Sequence, residues 1–338
     1  MKRKTVKVFN FIFFLAIGLV LLYFSFKGID LNFLVAELKN ANYYWVALSL
    51  FFAFIAYLSR AYRWKLLIEP LGYNPPLKNV FYGLMFGYFA NLALPRIGEI
   101  TRCGSLNKSD KIPMDSLIGT VIIERAMDLL VLLLLLVVLF ITKLDSFGAF
   151  IKTNVFVPIY SKFINTVDFP FYYWFAVIAV FVSLVILYYY IKKKFKRSPF
   201  IIKIRKILRG IISGVKTVTK MRSRSQFFLH TFIIWISYYL MTFVVFFSIP
   251  ATSSLSLIDG LFILVVGGLG MSAPVQGGIG AFHWIISSAL MLYGLSKEQG
   301  LVFATIQHES QTVFAILLGT FSVLMLFIQS RTKRKKYI

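Results

Sequence analysis

Three groups of polar side chains interrupt long apolar runs, and their residue types bound what the protein can do. The first lies in Leu94-Pro-Arg-Ile-Gly-Glu-Ile-Thr-Arg102. A guanidinium forks onto phosphate oxygens and keeps its charge in a poorly hydrated site, so Arg96 and Arg102 are candidates for gripping a lipid head-group phosphate. Glu99 is placed to hold either arginine between substrates, and an ordinary charged cytoplasmic loop is the plainer alternative. The second group is Glu124, Arg125 and Asp128. Glu124 and Asp128 stand four apart on one helical face, with Arg125 three from Asp128, so an internal ion-pair cluster is within reach. A charge inside a span costs roughly 2.5–3.5 kcal/mol on insertion unless paired or hydrated, so these side chains should face a bundle interior. There they act either as a structural clamp near the inner end of the helix or as direct contacts to substrate. The third group is Gln307-His-Glu-Ser-Gln-Thr312, six polar residues in succession inside an apolar segment. They cannot all face lipid. His308 and Glu309 are expected to line a polar cavity with His283, which follows a glycine-rich break, and Gln276, which lies within it.

His283, His308 and Glu309 are all capable of binding metal, yet no metal site is expected. Adjacent His308 and Glu309 stand about 100° apart on a helix, and no HExxH spacing occurs. The glycine string is not a dinucleotide fingerprint, since no strand precedes it and no Walker lysine follows. No nucleophile elbow or soluble catalytic domain is visible, and no cofactor is expected. A single cysteine, Cys103, excludes an internal disulfide.

The elements that must position these residues are membrane helices. Of 338 residues, 59% are hydrophobic and 15% charged, far from the balance of a soluble domain. Apolar runs fall at about 9–26, 43–62, 79–95, 117–142, 171–191, 226–248, 256–273, 279–295 and 300–329. Most are near the roughly 20 residues that cross a bilayer core, and they are continuous rather than alternating, which excludes a β-barrel. The expectation is an all-α, polytopic transmembrane helix bundle of about seven full spans with re-entrant or broken helices, forming a single domain over 1–338. The net charge of +24 is concentrated beside the apolar runs, where the positive-inside rule and anionic lipids account for it without nucleic acid.

Charge asymmetry gives the sidedness. The stretch 192–224 holds thirteen Lys or Arg and no acidic residue, which makes it cytoplasmic. Ile201, Ile204, Leu208, Ile211, Val215 and Val218 recur there at helical spacing, as in an amphipathic helix on the membrane surface. The N-terminus and the tail 331–338 are basic too, so both ends should face the cytoplasm and the protein should sit in the cell (inner) membrane. Helix two should end inside at Arg60, Arg63 and Lys65, and helix four must start inside. Residues 96–116 are too charged to span, so 79–95 should form a re-entrant hairpin turning near Asn91-Leu-Ala-Leu-Pro95. A second break, in Gly267-Gly-Leu-Gly-Met-Ser-Ala-Pro-Val-Gln-Gly-Gly-Ile-Gly280, interrupts the later apolar runs. Paired broken helices near the midplane are where secondary transporters hold substrate.

At Pro95-Arg96-Ile97-Gly98-Glu99-Ile100-Thr101-Arg102, Glu124-Arg125-Ala126-Met127-Asp128-Leu129-Leu130 and Pro274-Val-Gln-Gly-Gly-Ile-Gly280, the chain resembles the flippase-like membrane family that includes the transmembrane region of bacterial lysylphosphatidylglycerol synthases. The motifs occur in the family's order over nearly the whole chain. The resemblance implies a role in moving an anionic or glycosylated lipid between leaflets, with Arg96, Glu99, Arg102, Glu124, Arg125 and Asp128 at the matching positions. The bifunctional synthases append a soluble aminoacyl-transferase domain, whereas this chain stops at Ile338, so synthase activity is not carried over. The charged pair that many members have after the glycine motif is here Phe282-His283, and His308 stands where an arginine is often found, which implies a different head-group preference.

The expected function is a lipid flippase or scramblase-like transporter, not an enzyme, whose partners are membrane lipids and whose oligomeric state is open. The alternatives are a membrane-embedded transferase using Glu124, Asp128 or Glu309 as base, and an accessory subunit of a lipid- or polysaccharide-modifying system.

Overall fold

The computed structural model describes residues 16, 18–94, 97–142, 221–273 and 275–335, with only the backbone of 332–335. Among these residues the secondary structure is entirely helical. The longer helices are α1 (Gly18–Phe26), α2 (Leu31–Asn40), α3 (Tyr43–Ile68), α4 (Leu77–Ala93), α5 (Gly98–Asp110), α6 (Met114–Thr142), α7 (Arg224–Phe243), α8 (Leu257–Met271), α9 (Ala281–Met291) and α10 (Lys297–Lys335). Four of them, α3, α6, α7 and α10, are long and apolar enough to cross a membrane when short 3-10 extensions of α3 and α7 are included. The bent pair α1 and α2 makes a fifth if it is one span. The amphipathic stretch 201–218 and the apolar run 171–191 lie outside the described residues.

The chain divides into two compact units, residues 1–125 with 217–338, and residues 126–216. The described part of the second unit is the C-terminal half of α6, an almost unbroken apolar stretch. Leu133, Leu134, Val137, Phe140 and Ile141 are exposed along it. A helix that shows apolar side chains around its circumference is suited to hydrocarbon rather than water.

In the first unit, local signals set the helix ends. Gly28, with φ of 79°, ends α1, and Asp30 caps α2 by accepting the Asn32 backbone N–H at 2.8 Å. The two helices therefore meet at 91°, where the sequence reading saw only the first. Helix α3 runs six residues beyond the expected end at 62, because Trp64, Leu66, Leu67 and Ile68 are buried and continue its packing face. Its basic residues therefore stand within the helix rather than at its end.

The expected hairpin is present as α4 and α5. The two helices approach closely at two glycines. A Cβ on Gly87 would fall 2.8 Å from the Gly98 carbonyl oxygen, and one on Gly98 would clash with the Gly87 carbonyl and Asn91. The Gly98 N–H donates to Asn91 Oδ1 at 2.7 Å, and Asn79 at the far end donates to Asp110 at 3.0 Å. Helix α5 thus lies antiparallel on α4. The core beneath them is built from Ala53, Tyr57, Ala61, Trp64 and Ile68 of α3 with Val80, Leu84, Met85, Cys103, Leu106, Leu117 and Val121.

The second break is narrower than expected. Helix α8 continues through Gly267, Gly268 and Gly270 to Met271, since glycine tolerates helical angles and its bareness lets α9 approach. The chain leaves helical geometry only afterwards, and Gly277, Gly278 and Gly280 take positive φ before α9 begins. Helix α10 then runs 39 residues and carries 307–312 in mid-length.

Candidate functional site

The structure gathers the polar residues of the first unit into two groups. At the centre of the first is Glu124 of α6, which is fully buried. Three arginines converge on its carboxylate from two other helices. Arg102 Nη1 of α5 is 3.0 Å from Oε2, while Arg60 and Arg63 of α3 place Nη2 at 3.2 and 3.5 Å from Oε1. A carboxylate has about four lone-pair sites, so it can accept from several guanidinium groups at once.

The arginines are held from behind. Arg60 Nη1 donates to the hydroxyls of Tyr88 and Tyr238, both at 3.0 Å, and Arg63 Nη1 donates to Thr231 Oγ1 at 3.3 Å. The Arg102 guanidinium lies over the Trp64 ring, 4.5 Å from its centroid, and the Trp64 indole N–H is fixed by Thr120 Oγ1 at 2.9 Å. At the edge, Arg125 Nη2 pairs with Glu99 Oε1 at 2.8 Å, with both side chains partly exposed. Four arginines, Arg60, Arg63, Arg102 and Arg125, thus gather around Glu124 and Glu99. Arg102 Nη2 is buried with no hydrogen-bond partner among the described residues. Arg60, Tyr88, Asn91, Glu99, Arg102 and Arg125 line a narrow cleft over this cage.

Glu99, Arg102, Glu124 and Arg125, drawn from two separate motifs, therefore meet. Glu99 pairs with Arg125 and Arg102 pairs with Glu124, while Arg96, the other arginine expected at Glu99, is not among the described residues. Arg60 and Arg63 were missed as site residues, since basic residues near the end of an apolar run look like interfacial anchors. The available signal was their spacing of three, which puts both on one face of a helix whose apolar pattern resumes at Leu66. Arg96 and Pro95 lie outside the described residues. Asp128 belongs to the second unit.

The second group forms where the glycine break meets α10. His308 Nε2 is 2.9 Å from the Gly277 carbonyl oxygen, and Nδ1 is 3.0 Å from Glu309 Oε1. His283 Nε2 of α9 is 3.6 Å from the same carboxylate oxygen. Both histidines are buried, while the Glu309 side chain is 47% exposed. Gln276 is buried in the break itself, and Gln307 turns away to donate to Thr242 Oγ1 of α7 at 2.9 Å. The angular argument that kept His308 and Glu309 apart concerns Cβ directions, and the extra torsions of glutamate bring its carboxylate back to the ring. The three ligand atoms of His283, His308 and Glu309 lie within 4.8 Å of one another.

The end of α4 stands at both groups. Asn91 lines the arginine cleft, and a Cβ on Gly277 would fall 2.9 Å from Leu92 Cδ2.

The chain belongs to the lysylphosphatidylglycerol synthase transmembrane-region family, whose model matches residues 11–319. It is a membrane protein of that family. A UPF0104 membrane protein of Methanocaldococcus jannaschii is 30% identical over 130 residues, a stretch that takes in 38% of this chain and 36% of that relative. No solved structure matches.

Proposed function

We propose that the arginine cage receives the phosphate of an anionic or glycosylated lipid, and that the protein moves such lipids between leaflets as a multi-pass flippase or scramblase of the cell membrane. One observation carries this reading. Several guanidinium groups are held together in a largely buried cluster, next to a cleft, and Arg102 Nη2 has no hydrogen-bond partner among the described residues. A phosphate oxygen is the ligand that such a donor takes, through short, charge-assisted hydrogen bonds. The acyl chains stay in the bilayer while the head group crosses. With the basic stretch 192–224 and both termini in the cytoplasm, the cage opens toward the inner leaflet. Arg96, near the cleft residues in sequence, and Asp128, one helical turn after Glu124 in sequence, are further candidates for head-group contact.

A second reading has its own support. Glu124 is fully buried and lies within ion-pair distance of three arginines, as in a clamp that pins α3, α5 and α6 together. Proteoliposomes carrying a fluorescent phospholipid and an impermeant quencher separate the two. Wild type should speed lipid exchange between leaflets. Arg125→Gln, whose side chain is 46% exposed, should slow exchange by about tenfold while thermal unfolding in detergent stays put. Loss of exchange only in proportion to lost stability points to the clamp. A wild type that moves no phospholipid sinks the transport reading, and a chemically altered lipid replaces it with a transferase.

A further inference from the structure

We infer that His283, His308 and Glu309 form a binding site for a divalent transition-metal ion of the zinc class, with one coordination position open. The surroundings of His308 fix where its ring proton sits. Its Nε2 faces the Gly277 carbonyl oxygen at 2.9 Å, an atom that can only accept, so the ring proton belongs on Nε2. In the neutral ring, Nδ1 then presents a lone pair, and it points at Glu309 Oε1 from 3.0 Å. Two acceptors at that distance repel unless something positive sits between them. His283 Nε2 approaches the same oxygen at 3.6 Å. Three electron-pair donors from two helices therefore lie within 4.8 Å of one another.

A metal ion satisfies all three. Metal–nitrogen distances of about 2.0–2.1 Å in a tetrahedral zinc site put neighbouring ligand atoms about 3.3 Å apart; the two nitrogen–oxygen separations are close to this, and the two histidine nitrogens, within 4.8 Å of each other, close on the ion by side-chain rotation. The Gly277 carbonyl already plays the part of the outer hydrogen-bond acceptor that fixes a metal-bound imidazole in its tautomer and orientation. With Nε2 as the ligand atom, the ring proton of His283 sits on Nδ1, which is buried without a hydrogen-bond partner among the described residues. Imidazole and carboxylate together suit zinc and its neighbours better than magnesium or calcium, which take oxygen alone. Three protein ligands leave the fourth position open, on the side where Glu309 is exposed, for water or an oxygen of a bound molecule.

This site is independent of the arginine cage. The test uses full-length, tag-free protein in detergent, stripped with chelator and titrated with Zn²⁺ by calorimetry. The chain has three histidines, His230, His283 and His308, so His230→Gln serves as the control. Wild type and His230→Gln should bind one Zn²⁺ per chain, and His283→Gln and Glu309→Gln should each weaken it by about tenfold or more. Co²⁺ in wild type should give the intense visible bands of a four-coordinate ion, a readout that needs no variant to fold. Zn²⁺ binding that is equal in wild type and in His283→Gln/His308→Gln, or octahedral Co²⁺ spectra in wild type, overturns the inference. In that case a proton, not a metal, lies between His308 and Glu309.

Discussion

The two polar groups solve the problem of buried charge in opposite ways. In the arginine cage every cation is permanent, the central carboxylate is fully enclosed, and the partners come from α3, α5 and α6, between 22 and 64 residues apart in sequence. In the histidine group the charge is optional, the carboxylate reaches the surface, and two of the three side chains are sequence neighbours. A long-range cluster of fixed charges is also part of the core. Its enclosed members cannot be altered without loosening the helices that carry them. A local cluster with one open member can change its occupancy while the helices stay in place. The comparison therefore predicts that variants at the enclosed centre of the first group, Glu124 and the arginines upon it, lose stability, and that variants of the second lose binding.

The largest effect should come from Glu124→Gln. It keeps the side-chain shape but leaves the buried arginines without their counter-charge, at a cost of about 3–5 kcal/mol. Thermal or denaturant unfolding in detergent measures it, and a loss under about 1 kcal/mol would break the contrast between the groups. An intermediate effect belongs to Gly277→Ala. Its φ of 57° and its closeness to Leu92 predict destabilisation of about 1–2 kcal/mol, with displacement of the carbonyl that orients His308. Weakened Zn²⁺ binding with unchanged stability would sharpen the comparison by confining the glycine's role to the second group. The smallest effect is that of Glu309→Gln in the presence of chelator. Ion pairs with a half-exposed carboxylate contribute under about 1 kcal/mol, so the unfolding midpoint should barely move. A large shift would mean that the histidine group is also a structural centre.

Much of the fold was legible because membrane helices announce themselves by length and apolarity. The starts of α3, α4, α7, α8 and α10 fall within about three residues of the apolar runs, a normal boundary error. The hairpin was legible from charge, since α5 is too polar to span and must fold back. The bend after α1 was not, because one glycine and one capping aspartate give a weak signal beside an apolar run. Within the sites, Glu99, Arg102, Glu124 and Arg125 stood out as charges in or beside apolar sequence. Arg60 and Arg63 did not, since a basic residue at a membrane interface and one buried beneath the next helical turn have the same local pattern until the packing of Trp64 is known.

Composition and hydropathy by themselves determined the solvent of this protein, its helical class and which residues were costly enough to need a reason. These follow from transfer free energies that each segment carries wherever it sits. Pairing was decided by the tertiary structure alone. Which arginine meets Glu124, which glutamate meets Arg125 and whether His283 reaches Glu309 depend on helices brought together by the Gly87–Gly98 contact and the glycine break. No local propensity encodes such a distance between remote residues, because close packing fixes it only when all the helices are in place.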